Sequence, residues 1–337
     1  MRKVRKSVIG FGILLTVTLV ALAYSGWNRV VMVGGKDPGL GVRRLHAQGI
    51  TGSGVSVAII DGHLRTDHVE YRDQLAYYEE LSNFEGIPYE FHGPMVTSIL
   101  VGRQIGVAPG AKLYYFAQNF AAATPAETAD ALRHILTFTQ DLPADQRIRA
   151  VSISHGWPDR PEGVAEFETA VDEAWQSGVV VLTSQYPTLT QPPLAIRDLG
   201  CPPWKDRDNP LNYGISPGGK AYLRDQNQSV AALLQNHAQS DRDKGYVTLY
   251  APGDYSTLAG PGEGKQGYGP DDYFYSEEGG LSRATPYLSG VLALALQVNP
   301  ALTPDEMVTL LADGVYELEN GVRLIASEKV VQLARLK

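Results

Sequence analysis

Three residues of the chain have side chains suited to nucleophilic catalysis and stand in segments of unusual composition. Asp61 directly follows the apolar run Val55–Ile60, which is typical of a buried strand. His92 opens a mostly apolar stretch, and Ser282 follows the glycine pair Gly279-Gly280. A serine hydroxyl needs a neighbouring base to act as a nucleophile, and a histidine backed by a carboxylate can be that base. These residue types are therefore the components of acyl-transfer chemistry, provided that the fold brings them together.

Each of the three residues also has an ordinary structural explanation. An aspartate at the carboxyl end of a strand can hold a ribose, a metal ion or a turn. A histidine at a helix start is commonly a cap or a solvated side chain, and a serine there is commonly the N-cap. The paired glycines before Ser282 and the apolar stretch behind it indicate instead a backbone built for close approach. The functional interpretation therefore depends on the three segments occurring together.

The elements that must position these residues alternate between strands and helices. Strands are expected at Val55–Ile60, Leu113–Ala117, Ala150–Ser154, Val179–Leu182 and Tyr246–Tyr250. Helices are expected at Pro94–Val101, Pro125–Phe138 behind the N-cap Thr124, Gly163–Ser177, Ser282–Val298, and last behind the N-cap Thr303. Residues 186–245 are expected to be a long surface excursion, and Pro252-Gly253 a turn. The alternation predicts an α/β fold with a mostly parallel central sheet and helices on both faces.

Four segments, taken in order, resemble motifs of the subtilisin-like serine peptidases, and the resemblance runs from about Gly52 to Pro304. The matching residues are Val57–Asp61 with the nearby His68, His92-Gly93, the turn Gly106–Ala111, and Ser282, Ala284, Thr285, Pro286, Ser289 and Gly290. The order aspartate, histidine, serine is also the order of this family. The resemblance implies a subtilisin-like peptidase domain over residues 52–337, in which His68 is a structural histidine.

The resemblance also implies an activity, that of a serine endopeptidase working through an acyl-enzyme intermediate. Ser282 would be its nucleophile, His92 the base that takes the proton, and Asp61 the group that fixes the imidazole. Ser154-His155-Gly156 matches the edge along which the family binds extended peptide, so protein or peptide substrates are expected. No cofactor is required for this chemistry.

The sequence departs from the family at the oxyanion-hole asparagine. After the strand Val179–Leu182, where the family has that asparagine, this chain has Thr183-Ser184-Gln185. Gln185 is the first candidate for the donor because it carries the same amide on a longer stem, with Thr183 and Ser184 as alternatives. Losing one oxyanion donor costs on the order of 10²–10³ in rate, against 10⁴–10⁶ for a triad member. The alternative to an active peptidase is a catalytically impaired pseudoprotease that uses the fold as a protein-binding module.

Further departures surround the predicted histidine and serine. Leu281, Arg283 and Tyr287 stand where the family usually has threonine, methionine and histidine, and Pro94 replaces a threonine. None of these positions makes or breaks a bond. We therefore expect them to affect shape and specificity more than activity.

Residues 1–27 have the composition of a signal peptide or an N-terminal membrane anchor. Four basic residues within Arg2–Lys6 precede the uncharged, mostly apolar run Val8–Tyr24, so the basic end is expected to stay in the cytoplasm. Ala21-Leu22-Ala23 offers a cleavage site, whereas Trp27 suits an interfacial anchor, and both alternatives stay open. Either alternative predicts an extracytoplasmic protein, secreted or anchored in a membrane by residues 8–24. Residues 28–51 form a lead-in segment with an amphipathic stretch at Val42–Gln48.

The composition argues against several other classes of protein. A net charge of −8 leaves no basic excess to neutralise phosphates, so no nucleic-acid partner is expected. No P-loop is present, and the one dinucleotide-like glycine spacing, at Gly262, Gly264 and Gly267, neither follows a predicted strand directly nor opens a predicted helix, which argues against a nucleotide-binding α/β protein. The single cysteine, Cys201, lies in a proline-rich loop and is expected to be a structural thiol. Members of the family often bind structural calcium. No metal site is assignable in this sequence, because acidic loop residues such as Asp206 and Asp208 are expected to be ordinary solvated charges.

Overall fold

A five-stranded parallel sheet carries Asp61 on its carboxyl edge. The computed structural model describes residues 25–119, 122–157, 162–185, 187–262, 264–265 and 267–337. The strands are β1 (Ser56–Asp61), β2 (Leu75–Glu80), β3 (Lys112–Ala117), β4 (Ile148–Ile153) and β5 (Val180–Thr183), in the spatial order β2-β3-β1-β4-β5. All of these pairings are parallel. Every residue of β1 is buried, because the strand lies in the middle of a sheet covered on both faces.

Helices cover both faces of this sheet, which confirms the predicted α/β fold. The α-helices among the described residues are α1 (residues 25–34), α2 (Val42–Ala47), α3 (His92–Val101), α4 (Pro125–Asp141), α5 (Val164–Gln176), α6 (Pro217–Asp225), α7 (Val230–Asp243), α8 (Leu281–Val298), α9 (Pro304–Asp313) and α10 (Ser327–Ala334). Val57 and Ile59 of β1 pack with α3 and α8, whereas Ala58 and Ile60 pack with α4 and α5. This division follows from the two-residue period of a strand.

A second sheet and a hairpin complete the described part of the fold. The second sheet consists of β6 (Leu194–Gly200), β7 (Val247–Asp254), β10 (Val315–Glu317) and β11 (Arg323–Ile325), in the order β10-β11-β7-β6. The hairpin pairs β8 (Ser256–Ala259) with β9 (Tyr273–Ser276). Helix α8 contacts β4 and β5 of the first sheet and β6 and β7 of the second. Fourteen of its eighteen residues are buried, so this helix forms the centre of the core.

The predictions for the region after β5 are wrong in two respects. Residues 186–245 are not a surface excursion throughout, because β6 lies within them, mostly buried and paired in parallel with β7. Arg197 interrupts the apolar pattern of β6, and its guanidinium lies 2.8 Å from a carboxylate oxygen of Asp241 on α7. This ion pair with a residue far along the chain neutralises the charge of Arg197 inside the strand. From the sequence alone, that charge favoured a loop. The predicted turn at Pro252-Gly253 lies inside β7.

The predicted helix caps are confirmed, whereas the last helix and one edge strand differ from the prediction. Thr124 and Thr303 form the capping boxes expected for α4 and α9. However, α9 is not the final helix, since β10, β11 and α10 follow it. The edge strand β2 was not predicted, because its sequence Leu-Ala-Tyr-Tyr-Glu-Glu ends in charged residues and stays half-exposed.

The lead-in segment folds onto the domain. It contains part of α1 and all of α2, and Leu40 and Val42 are fully buried. The predicted apolar run Val8–Tyr24 lies outside the described residues. Within the residues that are described, no helix has the length and apolar character needed to cross a membrane.

Candidate active site

The structure joins Asp61, the last residue of β1, directly to His92, the first residue of α3. Asp61 Oδ1 lies 2.8 Å from His92 Nδ1 and also accepts the Gly62 backbone N–H at 2.8 Å. The carboxylate is buried, while 25% of the His92 side chain is exposed. Because an ionised carboxylate can only accept, the His92 proton is assigned to Nδ1. Nε2 is therefore the nitrogen left to act as a base.

The electrostatic surroundings of His92 favour its charged form. Burial lowers the pKa of His92, but the charge and hydrogen bond of Asp61 more than offset this, so the pKa is raised overall. Glu90 contributes in the same direction, and Arg283 opposes it. A proton accepted by this imidazole is thus stabilised, as general-base catalysis requires.

Ser282 is positioned by the first turn of α8 and the glycines before it. A side chain on Gly279 would place its Cβ 1.7 Å from the Gly253 carbonyl oxygen, so only glycine fits there. Gly280 is the N-cap with a φ of 135°, which few other residues adopt. These glycines bring the start of α8 against the end of β7, and Ser282 follows as the second residue of the helix.

Ser154, which follows β4, holds Ser282 through two hydrogen bonds. Pro286 has no N–H to donate to the Ser282 carbonyl four residues earlier, and the Ser154 hydroxyl donates to that carbonyl at 2.9 Å. The Ser282 hydroxyl in turn donates to the Ser154 carbonyl at 3.2 Å. Ser154 lies beside Asp61 on the sheet edge, because Ile60 pairs with Ile153. The Ser282 hydroxyl is therefore held at the carboxyl end of β4, the strand that pairs with the strand carrying Asp61. Among the described residues, no hydrogen bond joins it to His92.

The structure does not favour Gln185 as the oxyanion donor. Gln185 is buried, its Oε1 accepts the Trp157 N–H at 2.6 Å, and its Nε2 donates to the Trp157 carbonyl at 3.4 Å. Its amide thus supports the segment beyond His155 rather than pointing to Ser282. The Ser184 hydroxyl instead lies 3.3 Å from the Thr285 hydroxyl on α8. Of the three residues considered from sequence, Ser184 has a side chain that contacts α8, the helix that carries Ser282.

His68 has the buried, bonded setting of a structural histidine. The Glu70 N–H donates to its Nδ1 at 3.2 Å, so the ring proton is on Nε2, which lies 3.0 Å from the Asp272 carbonyl. Burial lowers the pKa of His68, which keeps the ring neutral. The stacked Tyr71 ring completes its surroundings.

The remaining residues considered from sequence have structural partners. Cys201 is buried, and burial raises the pKa of its thiol to about 11. Asp208 accepts the Gly41 N–H and pairs with Arg44, while Asp206 accepts the Asp208 N–H. Within the described ranges there is no group of three or more histidine, cysteine or acidic residues arranged to hold a metal ion.

Two carboxylates near the start of α8, Asp198 on β6 and Asp254 on β7, were missed by sequence reasoning. Burial, reinforced by Asp198, raises the pKa of Asp254 to about 7, although the Gly279 N–H bonds to it. Burial raises the pKa of Asp198 as well. The charge of Arg283, which is only 2% exposed and lies 3.4 Å from the Gly253 carbonyl, opposes both rises. The signal was an acidic residue at the carboxyl end of each of two strands. It was hidden because that region was predicted as a loop and a turn.

Comparison with known proteins connects this geometry to a family. Residues 52–185 and 218–323 match the sequence profile of the subtilase family, peptidase family S8. The serine protease AprX of Bacillus subtilis (strain 168) is 24% identical over 294 residues, 80% of this chain and 63% of AprX. The subtilisin-like protease PopC of Myxococcus xanthus (strain DK1622) is 26% identical over 310 residues, 82% of this chain and 59% of PopC. The chain thus spans about three fifths of these relatives.

Solved structures share the fold. The prenylagaramide maturation protease PagA superposes with a TM-score of 0.57 at 17% identity, covering 87% of this chain and 98% of PagA. A protease from Pseudoalteromonas arctica PAMC 21717 superposes with a TM-score of 0.52 at 19% identity, covering 84% of this chain and 91% of that protease. At these identities the likeness concerns the fold alone.

Proposed function

Because the chain belongs to the subtilase family of serine proteases, we propose that it is an endopeptidase with Asp61, His92 and Ser282 as its triad. The observation that carries this proposal is the 2.8 Å bond between Asp61 and His92, beside a serine fixed at the start of α8. The same bond argues against the pseudoprotease alternative, since a binding module has no use for a base whose pKa is raised by a buried carboxylate.

The proposed reaction begins at the carbonyl carbon of the scissile peptide bond. The Ser282 hydroxyl exchanges its bond to the Ser154 carbonyl for one to His92 Nε2, as hydroxyl rotation allows. Oγ attacks the carbonyl carbon while Nε2 takes the proton, and the imidazolium then gives that proton to the leaving amine. Water repeats the sequence on the acyl-enzyme, which releases the second product and restores Ser282.

The oxyanion is proposed to be stabilised by two donors. One is the Ser282 backbone N–H, which has no intrahelical acceptor because it lies in the first turn of α8. The other is the Ser184 hydroxyl, which already contacts α8 through Thr285. A hydroxyl in place of the family's amide gives a slower enzyme and not an inactive one.

Labelling with a fluorophosphonate probe tests the triad. The wild-type chain should be modified at Ser282, with the site mapped by mass spectrometry, and should cleave casein. Ser282→Ala should lose both the labelling and the cleavage of casein. Ser53→Ala changes an exposed serine distant from Ser282 in the sequence and should keep both properties. A folded wild-type chain that does not react with the probe would favour the pseudoprotease, and a labelled Ser282→Ala variant would refute the assignment.

Two further proposals concern cofactors and location. The chemistry described needs only side chains and water, so activity should survive dialysis against EDTA. A strong loss restored by Ca²⁺ would instead show a structural calcium site. Residues 1–27 are proposed to carry the domain out of the cytoplasm, secreted or anchored by residues 8–24. Trypsin added to intact cells should then digest the domain or its released form, and protection until lysis would refute this orientation.

A further inference from the structure

Helix α1 is fastened to the domain along one of its sides. The Val31 carbonyl accepts the Thr257 hydroxyl at 3.2 Å, and the Gly35 carbonyl just after the helix accepts the Thr257 N–H at 2.9 Å. A side chain on Gly34 would place its Cβ 2.4 Å from the Pro203 carbonyl oxygen. The helix therefore lies directly on β8 and on the loop that contains Pro203, in a fixed orientation.

Apolar side chains of α1 stay exposed beside this contact. Trp27, Val30 and Val33 are 51%, 45% and 64% exposed, and their spacing of three residues places them along one helical side. Trp204, 46% exposed, comes from the domain itself, and its ring centroid lies 5.0 Å from that of Trp27. These four exposed side chains, of which Trp27 and Trp204 are in contact, are here named the tryptophan face. Large apolar side chains grouped in this way mark an interaction site.

Cationic side chains border the tryptophan face. Arg29 and Lys205 are exposed and adjoin its members in sequence, on a chain whose net charge is −8. The neighbouring Asp206 directs its carboxylate to the Asp208 N–H. Tryptophan with arginine and lysine is the composition favoured at the boundary between lipid chains and headgroups.

We propose that the tryptophan face lies in the interfacial layer of a lipid bilayer and holds the domain against the membrane in one orientation. In the sequence, the uncharged run Val8–Tyr24 ends three residues before Trp27, so the segment that leads to this face has the composition suited to a bilayer. A second copy of the chain is a poorer occupant, because stable protein–protein interfaces engage about 20–30 residues a side and this face has four. The proposal concerns the surface and is independent of the peptidase activity.

Quenching of tryptophan fluorescence by brominated lipids tests the proposal on the full chain. The background is Ser282→Ala, which prevents self-digestion and separates the result from the proposed activity. Single-tryptophan variants retain Trp27, Trp157 or Trp204, the others being changed to Phe, in vesicles of phosphatidylcholine and phosphatidylglycerol. Emission from Trp27 and Trp204 should be quenched and shifted to shorter wavelength, more by bromines near the headgroups than by bromines near the chain ends. Trp157, buried beside Gln185, should be unaffected.

The behaviour of Trp204 decides the outcome. Quenching of Trp27 without quenching of Trp204 would mean that the domain stands away from the bilayer, and would overturn the proposal. Absence of both, with a dimer in detergent that Trp204→Asp dissociates, would assign the face to a second copy. Leu211→Asp, at another exposed apolar side chain, is the matched control and should leave the quenching of Trp27 and Trp204 unchanged.

Discussion

Replacement of Asp61 by asparagine separates the two contributions that this residue makes to His92. One carboxylate oxygen accepts both the Gly62 N–H and the His92 Nδ1–H, and the other oxygen is buried with no hydrogen-bond partner among the described residues. An asparagine that keeps its carbonyl oxygen towards Gly62 would still accept from Nδ1. The imidazole would therefore keep its tautomer and orientation and lose only the negative charge.

The size of that loss follows from Coulomb's law. Two unit charges about 4 Å apart at an effective dielectric constant of about 20 interact by about 4 kcal/mol, which corresponds to about 10³ in rate. Asp61→Asn should therefore lower kcat/KM by about 10³-fold. Asp61→Ala removes the orientation as well and should cost roughly 10⁴-fold or more.

The pH dependence supplies a second readout. Asp61 is what raises the pKa of His92 against the effect of burial. Without its charge the imidazole stays neutral to lower pH, so the acid limb of kcat/KM should move to lower pH in Asp61→Asn. The assay is the second-order rate of fluorophosphonate labelling between pH 5 and 9, with Ser282→Ala as the blank. Equal losses in the Asn and Ala variants, or an acid limb that moves to higher pH, would refute this reasoning.

Three other variants and one thiol probe test further features of the structure. In steady-state kinetics, Ser184→Ala should lower kcat by roughly 10²-fold with KM nearly unchanged. Gln185→Ala should mainly raise KM, because it loosens the backbone beyond His155. The opposite pattern would identify Gln185 as the oxyanion donor. The pKa of Asp254, raised to about 7 from an ordinary value of about 3.9, means that its protonation stabilises the fold and that this stabilisation is lost between about pH 4 and pH 7. Asp254→Asn should therefore raise Tm more at pH 8 than at pH 5 in a fluorimetric melt, and equal shifts at both pH values would contradict this. Because burial raises the pKa of Cys201 to about 11, iodoacetamide at pH 8 should alkylate it only after unfolding, as judged by intact mass; rapid alkylation of the native chain would show an accessible thiol.

The parts of the site that sequence could predict are those set by neighbouring residues. A buried strand ending in Asp61, a helix opening at His92 and the glycines before Ser282 are all local patterns, and the structure places each where its pattern indicates. The capping boxes of α4 and α9 are local in the same sense. Short-range patterns therefore gave the scaffold of the candidate triad.

The parts that sequence missed depend on partners far along the chain. The charge of Arg197 argued against a buried strand at β6, because its partner Asp241 is distant in the sequence. Gln185 looked like an oxyanion donor because its amide is chemically suitable, but Trp157 occupies that amide. Neither relation has a spacing that a single sequence reveals, because each is made by tertiary packing.

The burial of α8 ties the proposed activity of the protein to its global stability. Ser282, the proposed nucleophile, is the second residue of a helix that contacts both sheets and has fourteen of its eighteen residues buried, so it cannot shift unless the core opens. Backbone amides of α8 should therefore exchange with deuterium only through complete unfolding. Thermal inactivation and loss of tertiary structure should coincide, so that residual activity serves as a direct measure of the folded fraction.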